Sequence, residues 1–219
     1  MSFEAYKKRL GALGANRQEM TDNVTKINQH NMLLNSPSKR EVKVNDEDAM
    51  RPCLVSDVET FYKRRFLFLP ETEVSLGDYI YYENKIYLTT DKKTGDIYPE
   101  SFADFCDKVI EVSLGKTRVD TGKVDFQGRP IYKEEEIVEN VPVHTTTKVY
   151  SALSNQPISL PTGAIIVKLP YKKEFKIPLN YVVEVDEKEY RVMDIIYSKL
   201  SELEGIIELH AQREVVTRE

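Results

Sequence analysis

Along the first thirty-odd positions, Phe3, Tyr6, Leu10, Leu13, Met20, Val24, Ile27 and Leu34 follow a three-four alternation. That interval lines side chains up on one helical stripe and predicts an N-terminal helical segment over residues 1–35. Arg17 and Asn31 interrupt the stripe, and Gly11 and Gly14 each cost about 1 kcal/mol against alanine in a helix interior. One helix and two helices joined near Gly14 fit equally. The few large apolar residues make a narrow seam, which suits either packing on the chain's own domain or docking on another chain. On the second reading, Phe3, Tyr6, Leu10 and Leu13 contact a partner. Asn35-Ser36-Pro37-Ser38 is a run of turn formers before and around a proline, so the helix must end there.

From this point the period changes to two. Short stretches rich in Val, Ile, Tyr and Phe at residues 41–44, 61–69, 78–82, 86–90 and 108–114 read as strands. Glu83-Asn84-Lys85 reads as a tight hairpin connection, and Lys92-Lys93-Thr94-Gly95 as a second turn. Residues 115–157 differ in texture, with Gly115, Gly122, Gly128, Pro130, Pro142 and Pro157 punctuating short alternating pieces around a charged Lys133-Glu134-Glu135-Glu136 run. Little of this can be core. An extended hairpin is expected there, with residues 124–126 and 131–133 flanking Gln127-Gly128-Arg129-Pro130, and an arm of that length is usually functional or disordered. Phe126, Ile131 and Tyr132 are its candidate partner contacts. Strand patterning resumes at residues 164–169, 175–177, 181–185, 190–197 and 206–213. The expected fold class is mainly β, with one or two small β-barrels, an N-terminal helical segment and a long extended arm. The segments are 1–35 helical, 36–114 first barrel, 115–157 arm and 158–219 second barrel-like domain.

Residues 77–88, from Gly77-Asp78-Tyr79 through Glu83-Asn84-Lys85 to Leu88, lay onto residues 180–192, from Asn180-Tyr181-Val182 through Asp186-Glu187-Lys188 to Val192. Both are hairpins with acidic turns and a tyrosine on the returning strand. Two related barrels would explain the likeness, and so would the general sameness of hairpins.

Composition narrows the function more than it names it. The 219 residues carry 31 Lys plus Arg against 36 Asp plus Glu, a net charge of -5, so the chain as a whole lacks the basic surface of a general nucleic-acid binder. No apolar run reaches signal-peptide or membrane-span length, which points to an intracellular product without a membrane. Cys53 and Cys106 stand apart without ligand-spaced partners, so no zinc site is expected, while a single bridge between them stays open. Gly11-Ala12-Leu13-Gly14 lacks the strand and glycines of a phosphate loop. His210 and Glu214 are four apart in a strand pattern, where they do not share a face as they would on a helix. His30 and His144 lie in polar segments and read as solvated, and Asn45-Asp46-Glu47-Asp48 reads as a charged turn. Lys63-Arg64-Arg65 is the one compact basic cluster, either the wet side of a strand or a phosphate contact. No catalytic constellation emerges, and no metal or cofactor is expected.

The run Tyr62-Lys63-Arg64-Arg65-Phe66-Leu67-Phe68-Leu69-Pro70, followed by Leu76-Gly77-Asp78 and the hairpin to Leu88, resembles the head-closure, or stopper, proteins of the head-to-tail connector of long-tailed bacteriophages. Residues 181–195, closed by Gly205-Ile206-Ile207-Glu208-Leu209-His210, resemble the terminal strands of that family. The resemblance spans about half of the chain. It implies a virion protein of the neck, made in the host cytoplasm, that self-associates into a ring between the portal and tail-side neck proteins. Packaged DNA is then channel content only, and no active site is implied. The simplest stoppers are one small barrel, whereas this chain carries a helix, an arm and a second barrel pattern. The alternative class is a non-viral β-barrel adaptor that engages a protein partner through sheet edges.

Overall fold

The computed structural model describes residues 16–58, 62–70, 72–94, 98–150, 157–159, 163–198 and 204–213. The chain divides into two compact units, Met1–Asp104 and Phe105–Glu219. It is mostly β, with two six-stranded barrel-like sheets.

In the first unit, helix α1 (Arg17–Leu34) begins where the Asn16 side chain accepts from the Glu19 amide at 2.9 Å and ends at Asn35. An N-cap of this kind satisfies one of the orphan donors of the first turn. Only Leu33 of the helix is buried, while Val24, Ile27 and Leu34 of the expected seam are exposed. Among the described residues, this part of the stripe is therefore not buried against the barrel. Strands β1 (Lys39–Val44), β2 (Met50–Asp57), β3 (Lys63–Phe68), β4 (Tyr79–Tyr82), β5 (Lys85–Thr94) and β6 (Pro99–Phe105) close in the order β1-β2-β3-β6-β5-β4. Alternate residues point inward, so Val42, Val44, Phe66, Phe68, Ile80 and Leu88 form the core. The Phe66 ring lies edge-on to Tyr87 at 5.7 Å and Tyr82 at 6.1 Å between centroids. The Gly-Asp pair has a defined task here. Asp78 accepts from the Ser75 amide at 2.7 Å and from Asn45 Nδ2 at 2.8 Å, and Asn45 Oδ1 accepts from the Tyr79 amide at 2.8 Å. These bonds tie the end of β1 to the start of β4 and lock the closing seam.

Cys53 and Cys106 are both free thiols, so no bridge forms. Burial pushes the Cys53 thiol up to about 12. Because the unfolded thiol ionises near its ordinary value of about 8.5, the buried thiol contributes stability that is complete below that value. It is lost as pH rises towards 12. The expected result is that native protein at pH 8 protects Cys53 from an aromatic disulfide reagent, and that urea unfolding exposes it. Fast labelling of Cys53 in native protein, read by peptide mass, would contradict its burial.

The second unit contains β7 (Lys108–Val124), β8 (Pro130–Thr146), β11 (Ala164–Pro170), β12 (Val182–Val185), β13 (Lys188–Ser198) and β14 (Ile206–Arg213) in the order β12-β13-β14-β11-β8-β7. A separate pair, β9 (Lys148–Tyr150) and β10 (Pro157–Ser159), lies between β8 and β11 in the chain. Val112, Val141, Val143, Val167, Leu169, Val192 and Leu209 fill the core. Reading the first barrel from β4 gives β4-β5-β6-β3-β2-β1, which is the second order strand for strand once β9 and β10 are set aside. The two units are copies of one topology.

The hairpin repeat noted in the sequence is the local expression of this duplication. Gly77 has φ 88 and donates to the Thr89 carbonyl at 2.9 Å, and Asn180 has φ 64 and donates to the Val192 carbonyl at 2.9 Å. Both turns place two successive residues at positive φ, Glu83 and Asn84 at 49 and 58, Asp186 and Glu187 at 51 and 61. Such turns match the twist of the strands they join.

Five expectations change. Residues 108–114 belong to the second sheet, paired with β8, and do not close the first barrel. β2 and β6 are strands that periodicity did not show, and β5 runs on through Lys92, Lys93 and Thr94 where a turn was expected. Residues 175–177 are a loop, with Phe175 buried and the Lys176 amide donating to the Ser113 carbonyl at 2.8 Å. His144 is buried rather than solvated, its Nδ1 being 2.8 Å from the Phe105 carbonyl.

Candidate partner interface

The arm is an elongated hairpin. In the first unit, the matching strands β1 and β2 are joined by five residues, 45–49, close to the barrel. In the second, β7 and β8 remain paired far beyond it, through Lys116↔Glu136, Arg118↔Glu134 and Asp120↔Tyr132 to Val124↔Pro130. Every side chain over residues 116–124 and 126–138 is exposed. At roughly 3.4 Å per residue, the nine residues of β7 beyond Gly115 project about 30 Å.

The tip is built by one carboxylate. Asp125 Oδ1 accepts from the amides of Gln127 at 2.7 Å and Arg129 at 2.9 Å, and the Gly128 amide donates to the Asp125 carbonyl at 3.0 Å. Gly128 has φ 79, a conformation that costs an L side chain about 1–2 kcal/mol. Pro130, which has no amide proton to donate, opens β8. The turn presents Phe126 to solvent at 94% exposure, an unusual position for a phenyl ring.

Of the expected contact residues, Phe126 is at the tip, and Ile131 and Tyr132, 42% and 56% exposed, lie on opposite faces of the ribbon. The structure thus brings them onto one ribbon but not onto one face. Ile131 and Ile137 continue the row that holds Val141 and Val143 inside the barrel, and Val119 stands opposite Lys133 in the same row. Phe3, Tyr6, Leu10 and Leu13 lie outside the described residues. The ribbon's charges include exposed pairs, Lys116 to Glu134 at 4.0 Å and Lys133 to Glu135 at 3.7 Å, each worth little in water.

A second surface was not legible. The outward sides of β7, β8, β12 and the start of β13 frame an open groove of about 620 Å³, with Val109, Val138 and Val182 among its lining. Six carboxylates, Glu111, Glu136, Glu184, Asp186, Glu187 and Glu189, surround them. Asp186 holds Lys108 at 2.7 Å, and that hydrogen bond raises the lysine's pKa. The available signal was phase: with Ile110, Val112, Val183 and Val185 facing inward, Val109 and Val182 are apolar where a solvated strand face should be polar.

The other candidates resolve into structure. Lys63, Arg64 and Arg65 face Asp104 at 3.7 Å, Asp57 at 2.7 Å and Glu100 at 2.8 Å. The basic cluster is thereby neutralised by neighbouring strands. Among the described residues, no three His, Cys, Asp or Glu side chains are grouped so as to hold a metal ion.

These features define a class: a closed six-stranded barrel followed by a six-stranded barrel-like sheet of the same strand order that carries a projecting β-ribbon. Residues 108–212, which run from the start of β7 almost to the end of β14, match the family described as the YomX C-terminal domain. The SPbeta prophage-derived uncharacterized protein YomX of Bacillus subtilis (strain 168) is 24% identical over 157 residues, covering 69% of this chain and 71% of that protein. The chain is phage-related. Two solved structures of MrkH, one described as a c-di-GMP-dependent transcription regulatory factor and one from K. pneumonia, align over 89% of this chain. They cover 84% and 85% of those chains at 10% and 11% identity, with TM-scores of 0.23 and 0.21. At those scores they carry no argument about this fold.

Proposed function

We propose that this chain is a virion structural protein of the phage neck, forming a ring under the portal that closes the DNA-filled head and joins it to the tail. The observation that carries the reading is the ribbon, about 30 Å long by strand geometry, with no buried side chain from 126 to 138, on a chain related to a prophage protein. A single molecule gains nothing by holding such an element. A ring gains contacts from it. The partners are further copies of the chain, the portal and tail-side neck proteins, and the place of action is the head-tail interface. In this reading the chain performs no catalysis and binds no cofactor. Its net charge of -5 suits a channel through which duplex DNA must slide, since a basic lining would hold the duplex by counterion release.

The test is genetic. A phage in which this gene is disrupted should assemble and fill heads, then lose DNA from them and fail to join tails, as counted by electron microscopy and nuclease-protected DNA. Stable, tailed, DNA-filled particles made without the protein would remove the closure role and favour an adaptor that engages some other partner.

A further inference from the structure

The two barrels share a topology but differ at one seam. In the first, β1 and β4 are hydrogen-bonded, with Lys43 opposite Tyr81 and Val44 opposite Ile80. In the second, the corresponding strands β7 and β12 are the two ends of the sheet order and make no ladder among the described residues. The acidic groove lies over this open seam. Its floor leaves Val109 59%, Val138 47% and Val182 44% exposed, an apolar surface that water covers at a cost. Its rim keeps Glu184 directly opposite Glu189 in the β12–β13 ladder, where like charges repel. An apolar floor and a rim of six carboxylates, of which Asp186 is paired with Lys108, describe the surface that would suit the groove: apolar at its centre and basic at its edges.

The tip of the arm has that composition. Phe126 and Val124, 94% and 64% exposed, stand beside Lys123 and Arg129. Neither cation makes an ion pair among the described residues. The arm does not reach its own groove: through register shifts between Ser113 and Gly115 and between Asp120 and Val124, β7 stays paired with β8 as far as Val124↔Pro130, which puts the tip about 30 Å away along the strands.

We propose that the tip of the arm of one copy docks in the β7–β12 groove of the next, with Phe126 over Val109 and Val182 and with Lys123 and Arg129 facing Glu184 and Glu187. Each copy gives one arm and offers one groove. The contact is therefore heterologous and propagates head to tail, closing into a ring when the rotation per step allows it. This rests on the ring assembly proposed above and adds the pair of surfaces that would make it.

The experiment uses the full chain and sedimentation velocity over a concentration series. Wild type should associate, and more weakly at about 0.5 M than at about 0.1 M salt, because exposed charges are screened. The tip variant Lys123→Glu/Arg129→Glu and the groove variant Glu184→Lys/Glu187→Lys should each associate at least about tenfold more weakly. The chain carrying all four changes should recover association, because each proposed pair is restored with its signs exchanged. All four sites are exposed, and circular dichroism on each variant verifies the fold. Association of the two double variants at wild-type strength overturns the docking, as does a wild-type chain that stays monomeric to about 1 mM. If the tip variant instead loses affinity for a fluorescent duplex while its association is unchanged, the tip is a DNA contact and the docking is also overturned. None of these outcomes alters the gene-disruption phenotype, which tests the closure role separately.

Discussion

Replacing Phe66 with alanine is expected to destabilise the first barrel by about 3–5 kcal/mol, the range for removing a fully buried phenyl ring from a core. The ring has no exposed surface and packs against Phe68, Tyr82 and Tyr87, so three aromatic neighbours lose contacts at once. Closure makes the cost severe. β3 is hydrogen-bonded on both sides, to β2 and β6, and cannot slide inward to fill the void without breaking one ladder. Phe66→Leu keeps most of the volume and should cost less than half as much. The measurement is hydrogen exchange of β3 and β6 amides by mass spectrometry, because with two compact units a single unfolding midpoint is not a two-state quantity. Protection of those amides should fall by two orders of magnitude or more in Phe66→Ala, while β11 and β14 amides keep theirs. A change of less than tenfold would mean that the cavity refills and that Phe66 is not the keystone of this core.

Why some strands were visible in the sequence and others were not follows from what faces inward. β3 places Phe66 and Phe68 inside and β14 places Ile207, Leu209 and Ala211 inside, so apolar alternation marks both. β6 buries Ser101, Ala103 and Asp104, small or polar residues that leave no hydrophobic period, and it begins at Pro99. β2 has a single fully buried residue, Cys53, and a proline at its third position. Residues 175–177 alternate like a strand because Phe175 fills the core and Ile177 packs beside it, yet a loop delivers both. Burial was legible there, but backbone pairing was not. The Gly77 and Asn180 hairpins were legible because a two-residue turn needs positive φ at both positions and draws on a short list of side chains.

The candidate surface divides the same way. Glycine and proline spacing placed the arm's turn at 127–130, whereas the observed connection is 125–129 and takes in the exposed Phe126 that was read as strand. The length of the arm was hidden, because β7 and β8 beyond the barrel have two wet faces and hence no inside-outside alternation to read. The groove was hidden for another reason: its residues come from four strands separated by up to eighty positions, and only the sheet order places them together.

Removing residues 116–136 and joining Gly115 to Ile137 through Asn-Gly should leave the second barrel folded and abolish association. Gly115 and Ile137 are cross-strand partners, so a two-residue turn closes the ladder where it is already in register. The first unit supplies the precedent, since its equivalent hairpin joins β1 to β2 through residues 45–49 and still closes a barrel. No residue removed is buried, so the deletion takes no side chain from the core formed by Val112, Val141, Val167 and Leu209. The β11 and β14 amides should therefore keep their protection from hydrogen exchange to within about tenfold. The excised chain should sediment as a monomer at concentrations where wild type associates, and a virion gene carrying the deletion should behave as the disrupted gene does. Loss of that protection would place the ribbon within the folding unit. A folded excised chain that assembles normally and closes heads would leave the ribbon without a role in the ring and move the interface to the exposed seam of α1, where Val24, Ile27 and Leu34 lie.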